Sequence, residues 1–174
     1  MMALRPMRCY HDIKRQPYTR VSKHKPRKSY VKGVPSSKLH HFETGNAKGD
    51  FKLKYAVVAG NPVQIRSNSL ESARMMAAKH LAKQLSDNGF FLKILVFPHH
   101  VLREKALATG AGADRLSEGM RHSFGRPAGQ AARVDAGQRI MMACVPEGKD
   151  EIVKEALRRA TTKLPGACRI EKVE

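Results

Sequence analysis

Residues 110–138 limit most strongly how this chain can fold. Six glycines and one proline interrupt every helical or strand period within the segment. Because glycine lets a backbone approach a partner closely and arginine offers paired donors that match phosphate, we expect this segment to lie against a polyanion rather than in a core. The cationic candidates distributed through it are Arg115, Arg121, His122, Arg126 and Arg133.

The overall charge indicates the same kind of partner. The 174 residues include 33 Lys and Arg against 15 Asp and Glu, a net charge of +18. Positive charge of this size opposes compaction unless a polyanion neutralises it, and nucleic acid is the first candidate. A membrane partner is disfavoured because no predicted helix combines a dense Lys/Arg face with a Leu/Phe face, and no apolar run approaches spanning length. Residues 1–8 lack the apolar centre of a secretory signal, so we expect a cytoplasmic protein.

The charge and proline pattern of residues 1–50 predicts a basic, extended arm. Residues 1–54 hold 14 Lys and Arg against three acids, and four prolines break any period between residues 5 and 39. Tyrosines lie between the basic residues and offer faces on which bases or riboses stack. The alternative is a solvated tail, which the tyrosines and the length disfavour. The candidate nucleic-acid contacts in the arm are Arg5, Arg8, Tyr10, Lys14, Arg15, Tyr18 and Arg20.

From residue 51 to residue 174 the pattern predicts a single α+β domain. Alternating apolar residues indicate strands, and Asn68 with Glu71 three residues later predicts a capped helix start. Residues 101–112 are expected to leave the core, with a protruding loop at about 101–113. The predicted order is strand 51–57, strand 63–66, helix 68–87 and a strongly apolar central strand 90–98. After the polar excursion follow strand 131–134, strand 138–145, helix 147–164 and strand 167–173.

The two predicted helices each carry one apolar stripe, which determines the expected architecture. Both would bury that stripe on one face of a mostly antiparallel sheet, giving a two-layer α+β sandwich. Periodicity alone does not separate this arrangement from a ferredoxin-like split βαβ fold.

The glycine-rich segment does not predict catalysis. It lacks the phosphate-binding GxxxxGK[ST] pattern and it is not a GxGxxG, since Arg115 stands at the third glycine position. Asp114, Glu118 and Asp135 could be pictured as a metal-binding nuclease cluster. Each is flanked by Arg, Gly or Ala, so local ion pairs or helix caps explain them better. We therefore expect no enzymatic activity and no cofactor.

Metal binding is not expected either. Cys9, Cys144 and Cys168 are widely spaced and form no CxxC pair, so we interpret them as reduced thiols. His99 and His100 are adjacent, but no cysteine or acid lies at ligand-like spacing near them. A structural or RNA-facing role is the better interpretation of this pair.

The central segment also carries a resemblance to a known family. GAGADRLSEGMRHSFGRPAGQAARVDAGQ, at residues 110–138, is similar to the signature of a universal large-subunit ribosomal protein family, called L-sixteen in bacteria and L-ten-e in archaea and eukaryotes. RPMRCYHDIKRQPYTR and YVKGVPSSKLHHFETGN, at residues 5–20 and 30–46, resemble the opening of the archaeal and eukaryotic branch. EALRRATTKLPG, at residues 155–166, fits as well. The resemblance covers nearly the whole chain.

The resemblance implies a hammerhead-type sandwich and a structural role in the large ribosomal subunit. Members of the family contact large-subunit rRNA and neighbouring ribosomal proteins, lie close to 5S rRNA, and extend a loop toward the aminoacyl end of tRNA near the peptidyl-transferase centre. The arm and the arginines of residues 110–138 would then contact rRNA. The tRNA-proximal loop corresponds to residues 101–113 of this chain, with Arg103, Lys105, Thr109, Gly110 and Gly112.

Two other hypotheses use the same charge. A free-standing RNA-binding or RNA-chaperone module would need a recognition motif such as RRM aromatics or a GXXG loop, and the sequence has neither. A duplex-DNA architectural protein would need a recognition helix or a minor-groove wedge, whereas both predicted helices are committed to the core.

Overall fold

The computed structural model describes residues 4–6, 10, 13, 31–105, 110–116 and 118–173, without the side chains at positions 114 and 116. Several predicted contact residues lie outside the described residues, namely Arg8, Lys14, Arg15, Tyr18, Arg20 and Thr109.

The described residues form eight strands and three helices. The strands are β1 Glu43–Gly45, β2 Leu53–Ala59, β3 Val63–Arg66, β4 Phe91–Ile94, β5 His100–Glu104, β6 Arg126–Val134, β7 Arg139–Val145 and β8 Cys168–Val173. The helices are α1 Ser67–Leu85, α2 Ala113–Leu116 and α3 Asp150–Thr161. None of these helices is both long and apolar enough to cross a membrane.

The strands form two antiparallel sheets. The larger has the order β1-β4-β7-β2-β8 and the smaller has the order β3-β6-β5. The prediction of a single sheet was therefore wrong. Strand β3 cannot extend the larger sheet beside its predecessor, because β2 is already hydrogen-bonded to β7 on one edge and β8 on the other. It pairs with β6 instead, and β5 lies on the far side of β6.

One hydrophobic core joins both sheets and both long helices. The predicted apolar stripe of helix α1 was Leu70, Ala73, Ala77, Leu81 and Leu85. The first four are fully buried, and Leu85 is partly buried against the core. Helices α1 and α3 pack against each other, with α1 also against β3, β4 and β6 and α3 against β2, β7 and β8. Burial of one large aliphatic or aromatic side chain contributes about 1.5–3 kcal/mol. The predicted α+β sandwich is confirmed.

The helix start and the strand order differ from the predictions. Asn68 lies inside α1, and its side chain accepts a hydrogen bond from the Ser69 amide at 3.0 Å. Glu71 does not close a capping box, because it pairs with Arg74 at 2.5 Å. Strand β4 is an interior strand of the larger sheet, as predicted, but it is the second of five and not the middle one, since it lies between β1 and β7.

The small sheet contains residues that were predicted to lie outside the core. Residues 101–104 belong to β5, with Val101 and Leu102 buried, so the predicted excursion does not begin at residue 101. Strand β6 begins at Arg126, five positions before the predicted start, because it pairs with β5 as well as with β3. The protrusion of the residues that follow β5 stays a prediction.

The end of the predicted arm is attached to the domain. Strand β1 pairs with β4, and Val31 and Leu39 are buried. The Ile94 amide donates to the carbonyl of Phe42 at 2.8 Å, which continues this attachment. The division of the chain at residue 50 stays a prediction.

Candidate nucleic-acid interface

The site is built on the small sheet and on residues 118–126, which enter β6. A Cβ placed on Gly125 would lie 2.7–3.0 Å from backbone atoms of Glu104, closer than real Cβ contacts allow. Only glycine therefore permits residues 118–126 to approach β5 this closely. Gly125 therefore has a packing function that its sequence context did not reveal.

Two cations fasten residues 118–126 to β5. Arg103 Nη1 donates to the carbonyl of Gly125 at 3.0 Å, and the guanidinium lies 4.5 Å from the ring centroid of Phe124. Lys105 Nζ donates to the carbonyl of His122. Arg103 and Lys105, predicted to belong to the tRNA-proximal loop, thus make intramolecular contacts at the root of that loop.

A polar group that we call the Glu104 cluster lies beside this attachment. It consists of Arg5, Tyr10, Gln64, Arg66 and Glu104. The Glu104 carboxylate accepts a hydrogen bond from the Tyr10 hydroxyl and lies 3.9 Å from Arg5 Nε and 4.0 Å from Arg66 Nη2. One acid of β5 therefore contacts an arginine and a tyrosine from the arm and an arginine from β3.

Further hydrogen bonds of the Glu104 cluster fix the described arm residues to β3. Arg66 Nη2 donates to the Arg5 carbonyl at 2.5 Å, and Gln64 Nε2 donates to the Tyr10 carbonyl at 2.7 Å. The Arg66 guanidinium lies 5.0 Å from the Tyr10 ring centroid. Burial, followed by the hydrogen bond to Glu104, raises the pKa of Tyr10 above its usual range, so this phenol stays protonated.

Three of the four arginines in residues 110–138 point to solvent. Arg115, Arg121 and Arg126 are exposed, and none of them pairs with an acid among the described side chains. His122 is exposed and lies 2.8 Å from the carboxylate of Glu118. Free guanidinium groups on a fastened segment can meet phosphates without first breaking an ion pair.

The other predicted residues lie in β6 and in the loop that follows β5. Arg133 is half-buried in β6 opposite Gln64, and its positive charge adds to burial in lowering the pKa of His100. Gly110 and Gly112 are exposed and have positive φ angles of 130° and 75°, which favour glycine. The structure thus brings Arg5, Tyr10, Arg103 and Lys105 together around the end of β5, whereas Arg133 lies opposite Gln64 in β3.

Sequence reasoning missed the residues that organise this site. Gln64 and Arg66 alternate with Val63 and Ile65 in β3, a strand that was predicted, so a face opposite to the apolar one could have been inferred for them, whereas the burial of both polar side chains could not. Glu104 gave a weaker signal, as a single acid between two cations. No group of three or more His, Cys, Asp or Glu suited to a metal occurs in the part of the chain that the structure describes.

The fold and this surface define a basic α+β protein with a surface suited to a polyanion. Residues 13–171 match the family described as ribosomal protein L16p/L10e, and the chain belongs to this family. The family prediction is confirmed. The expectation that the chain is not an enzyme is also confirmed, because the family is one of ribosomal proteins.

Archaeal relatives match along almost their whole length. "Large ribosomal subunit protein uL16" of Staphylothermus marinus is 48% identical over 97% of this chain and 93% of its own length. The protein of the same name from Thermofilum pendens is 46% identical, over 97% and 96% respectively. That of Methanococcus maripaludis is 44% identical, over 97% and 94%.

Proposed function

We propose that this chain is a structural constituent of the large ribosomal subunit in the cytoplasm, where it binds and orders rRNA beside neighbouring ribosomal proteins. Family membership and the names of the archaeal relatives support the subunit assignment. The net charge of +18 supports a nucleic-acid partner, since such a charge is best neutralised by phosphates.

One observation supports the rRNA-binding surface most directly. Arg121 and Arg126 are exposed and unpaired among the described residues, on a segment that Gly125 and Arg103 hold against β5. A cation on a fixed segment loses less conformational entropy when it binds than one on a mobile tail. Direct contact between these two arginines and rRNA phosphates is therefore the centre of the proposal.

The finer part of the proposal concerns tRNA. We infer that residues 101–113 help to position the aminoacyl end of tRNA near the peptidyl-transferase centre, close to 5S rRNA. The root of this loop is held by the Glu104 cluster and by Lys105, and Gly110 and Gly112 allow turns that other residues rarely adopt. In this function the protein orders RNA, and the chemistry of peptide transfer belongs to RNA.

The rRNA-binding surface is tested by comparing two double variants of equal charge change. Replacing Arg121 and Arg126 by alanine should weaken binding to large-subunit rRNA. It should also reduce the slope of log affinity against log salt by about 0.7–0.9 for each phosphate that the protein no longer neutralises. The control replaces Arg158 and Arg159, which are already paired with Glu155 at 2.8 and 2.9 Å. Equal slopes for the two double variants would contradict the assignment of this surface.

RNA crosslinking in cells tests the assignment as a whole. The chain is crosslinked to RNA, recovered, and the attached RNA is sequenced. Reads concentrated on large-subunit rRNA around the tRNA-accepting cleft are expected. Reads scattered over many messages would instead favour a free-standing RNA-binding or RNA-chaperone module.

A further inference from the structure

Three aromatic rings stack at the surface immediately before β5. The ring centroids of Phe42 and Phe97 are 4.6 Å apart with an interplanar angle of 27°, and those of Phe97 and His99 are 5.8 Å apart at 13°. Phe97 is thus in near-parallel contact with both other rings and is the middle one. We call these three residues the aromatic stack, and we propose that an unpaired RNA base adds to its His99 end.

The aromatic stack is held in place by the backbone. The His99 amide donates to the Phe97 carbonyl at 2.9 Å across Pro98, a three-residue turn that brings the two rings to the same side. Phe42 is fixed because its carbonyl accepts from the Ile94 amide. A ring that is already oriented loses little entropy on binding a base, which favours a recognition site over a flexible surface group.

Burial in the core does not account for the aromatic stack. Phe97 is 52% exposed and His99 is exposed, whereas Phe42 packs partly against the core. Single exposed apolar residues are ordinary in proteins. Three rings in ordered stacking contact, with the outermost an imidazole open to solvent, instead resemble the stacking platforms on which proteins hold unpaired bases.

The surrounding charge favours RNA over a protein as the occupant. Lys38 and His41 are exposed shortly before Phe42, and the nearest acid along the chain, Glu43, is paired with Lys93 at 2.7 Å. His99, at one end of the aromatic stack, directly precedes β5, and the other end of β5 packs against residues 118–126. Lys38, four residues before Phe42 and exposed, is therefore the cation that the segment carrying the first ring offers to the phosphate of a bound nucleotide. This inference rests on the proposed function as an RNA-binding protein.

The test uses the full chain and a single-stranded RNA oligonucleotide that carries one 2-aminopurine among uridines. His99→Ala removes the outer ring and leaves the contact between Phe42 and Phe97, whereas His99→Phe keeps a stacking face. Stacking of one base contributes about 1–3 kcal/mol, which corresponds to a loss of affinity of roughly 5- to 150-fold. We expect this loss, together with loss of 2-aminopurine quenching, in His99→Ala and not in His99→Phe.

The salt dependence separates stacking from charge. Because no phosphate contact is removed, the slope of log affinity against log salt should be the same in His99→Ala as in the unmodified chain. Equal affinity and equal quenching for His99→Ala and the unmodified chain would overturn the inference. The same result is expected if another protein, and not RNA, covers the aromatic stack. If the unmodified chain itself shows no salt-dependent RNA binding, the proposed function fails and the inference fails with it.

Discussion

Replacing Gly125 by alanine tests how residues 118–126 are attached to β5. The added Cβ would lie 2.7 Å from the carbonyl carbon and 2.8 Å from the amide nitrogen of Glu104, and both are backbone atoms that no rotamer change can move. Either β5 or the segment must shift. Such a shift would also lengthen the 3.0 Å hydrogen bond from Arg103 to the Gly125 carbonyl.

The expected cost follows from these contacts. Overpacking of a well-packed site costs about 1–3 kcal/mol, and losing a hydrogen bond from a charged donor adds about 1.5 kcal/mol or more. Gly129→Ala, four residues farther along in β6, is the matched control, because its Cβ would meet no atom within 4 Å. Removing glycine from a strand interior should stabilise that control by about 0.5–1 kcal/mol.

Thermal unfolding and amide hydrogen exchange measure the effect. The melting temperature changes by about 2–4 °C per kcal/mol for a protein of this size, so Gly125→Ala should melt several degrees below Gly129→Ala. Exchange should accelerate in β5 and at the start of β6 in Gly125→Ala alone. If the two variants melt together with the same exchange protection in β5, the close approach at Gly125 does not hold the segment.

Two further predictions concern hydrogen bonds of tyrosine hydroxyl groups. Tyr10→Phe removes the hydrogen bond to the Glu104 carboxylate and should lower the free energy of unfolding by about 1.5–3 kcal/mol, as measured by urea titration. An unchanged urea midpoint would show that this bond does not attach the arm. Tyr55 donates to Asp150 at 2.5 Å, and this bond is the main cause that lowers the pKa of Asp150. The stability that this bond contributes is present above the ordinary aspartate pKa of about 3.9 and is lost as pH falls through the lower pKa of the folded state. In Tyr55→Phe the free energy of unfolding should therefore fall less steeply as the solution is acidified. Identical profiles of unfolding free energy against pH for the two proteins would contradict this.

The helices and most strands of this fold could be predicted because their signals are local. The predicted stripe of α1 recurs at a helical period in the sequence, and four of its five residues, Leu70, Ala73, Ala77 and Leu81, are fully buried in the structure, with Leu85 partly buried. The division into two sheets was not predictable in this way. It depends on β2 using both of its edges for β7 and β8, and the pairing partners of a strand lie far from it in the chain.

The candidate site was predicted in composition but not in its internal organisation. Arginine and glycine in residues 110–138 indicated a phosphate-binding surface from residue type alone. The packing role of Gly125 depends on the backbone of Glu104, about twenty residues earlier in the chain, and nothing in the neighbouring sequence marks it. The contact between Arg66 and Tyr10 likewise joins distant parts of the chain.

The described arginines beside β5 divide into two groups that differ in environment and not in residue type. Arg66 and Arg103 are turned inward, where Glu104, the Tyr10 ring and backbone carbonyls hold them. Arg121 and Arg126 remain exposed. An inward arginine has exchanged its hydrogen bonds to water for bonds to protein acceptors, so a phosphate must compete with those acceptors for the guanidinium. An exposed arginine needs only to release a counterion before it binds a phosphate. Net charge therefore overstates the number of phosphate contacts that this protein can make. The arginines that hold residues 118–126 against β5 act on RNA indirectly, by positioning the exposed Arg121 and Arg126.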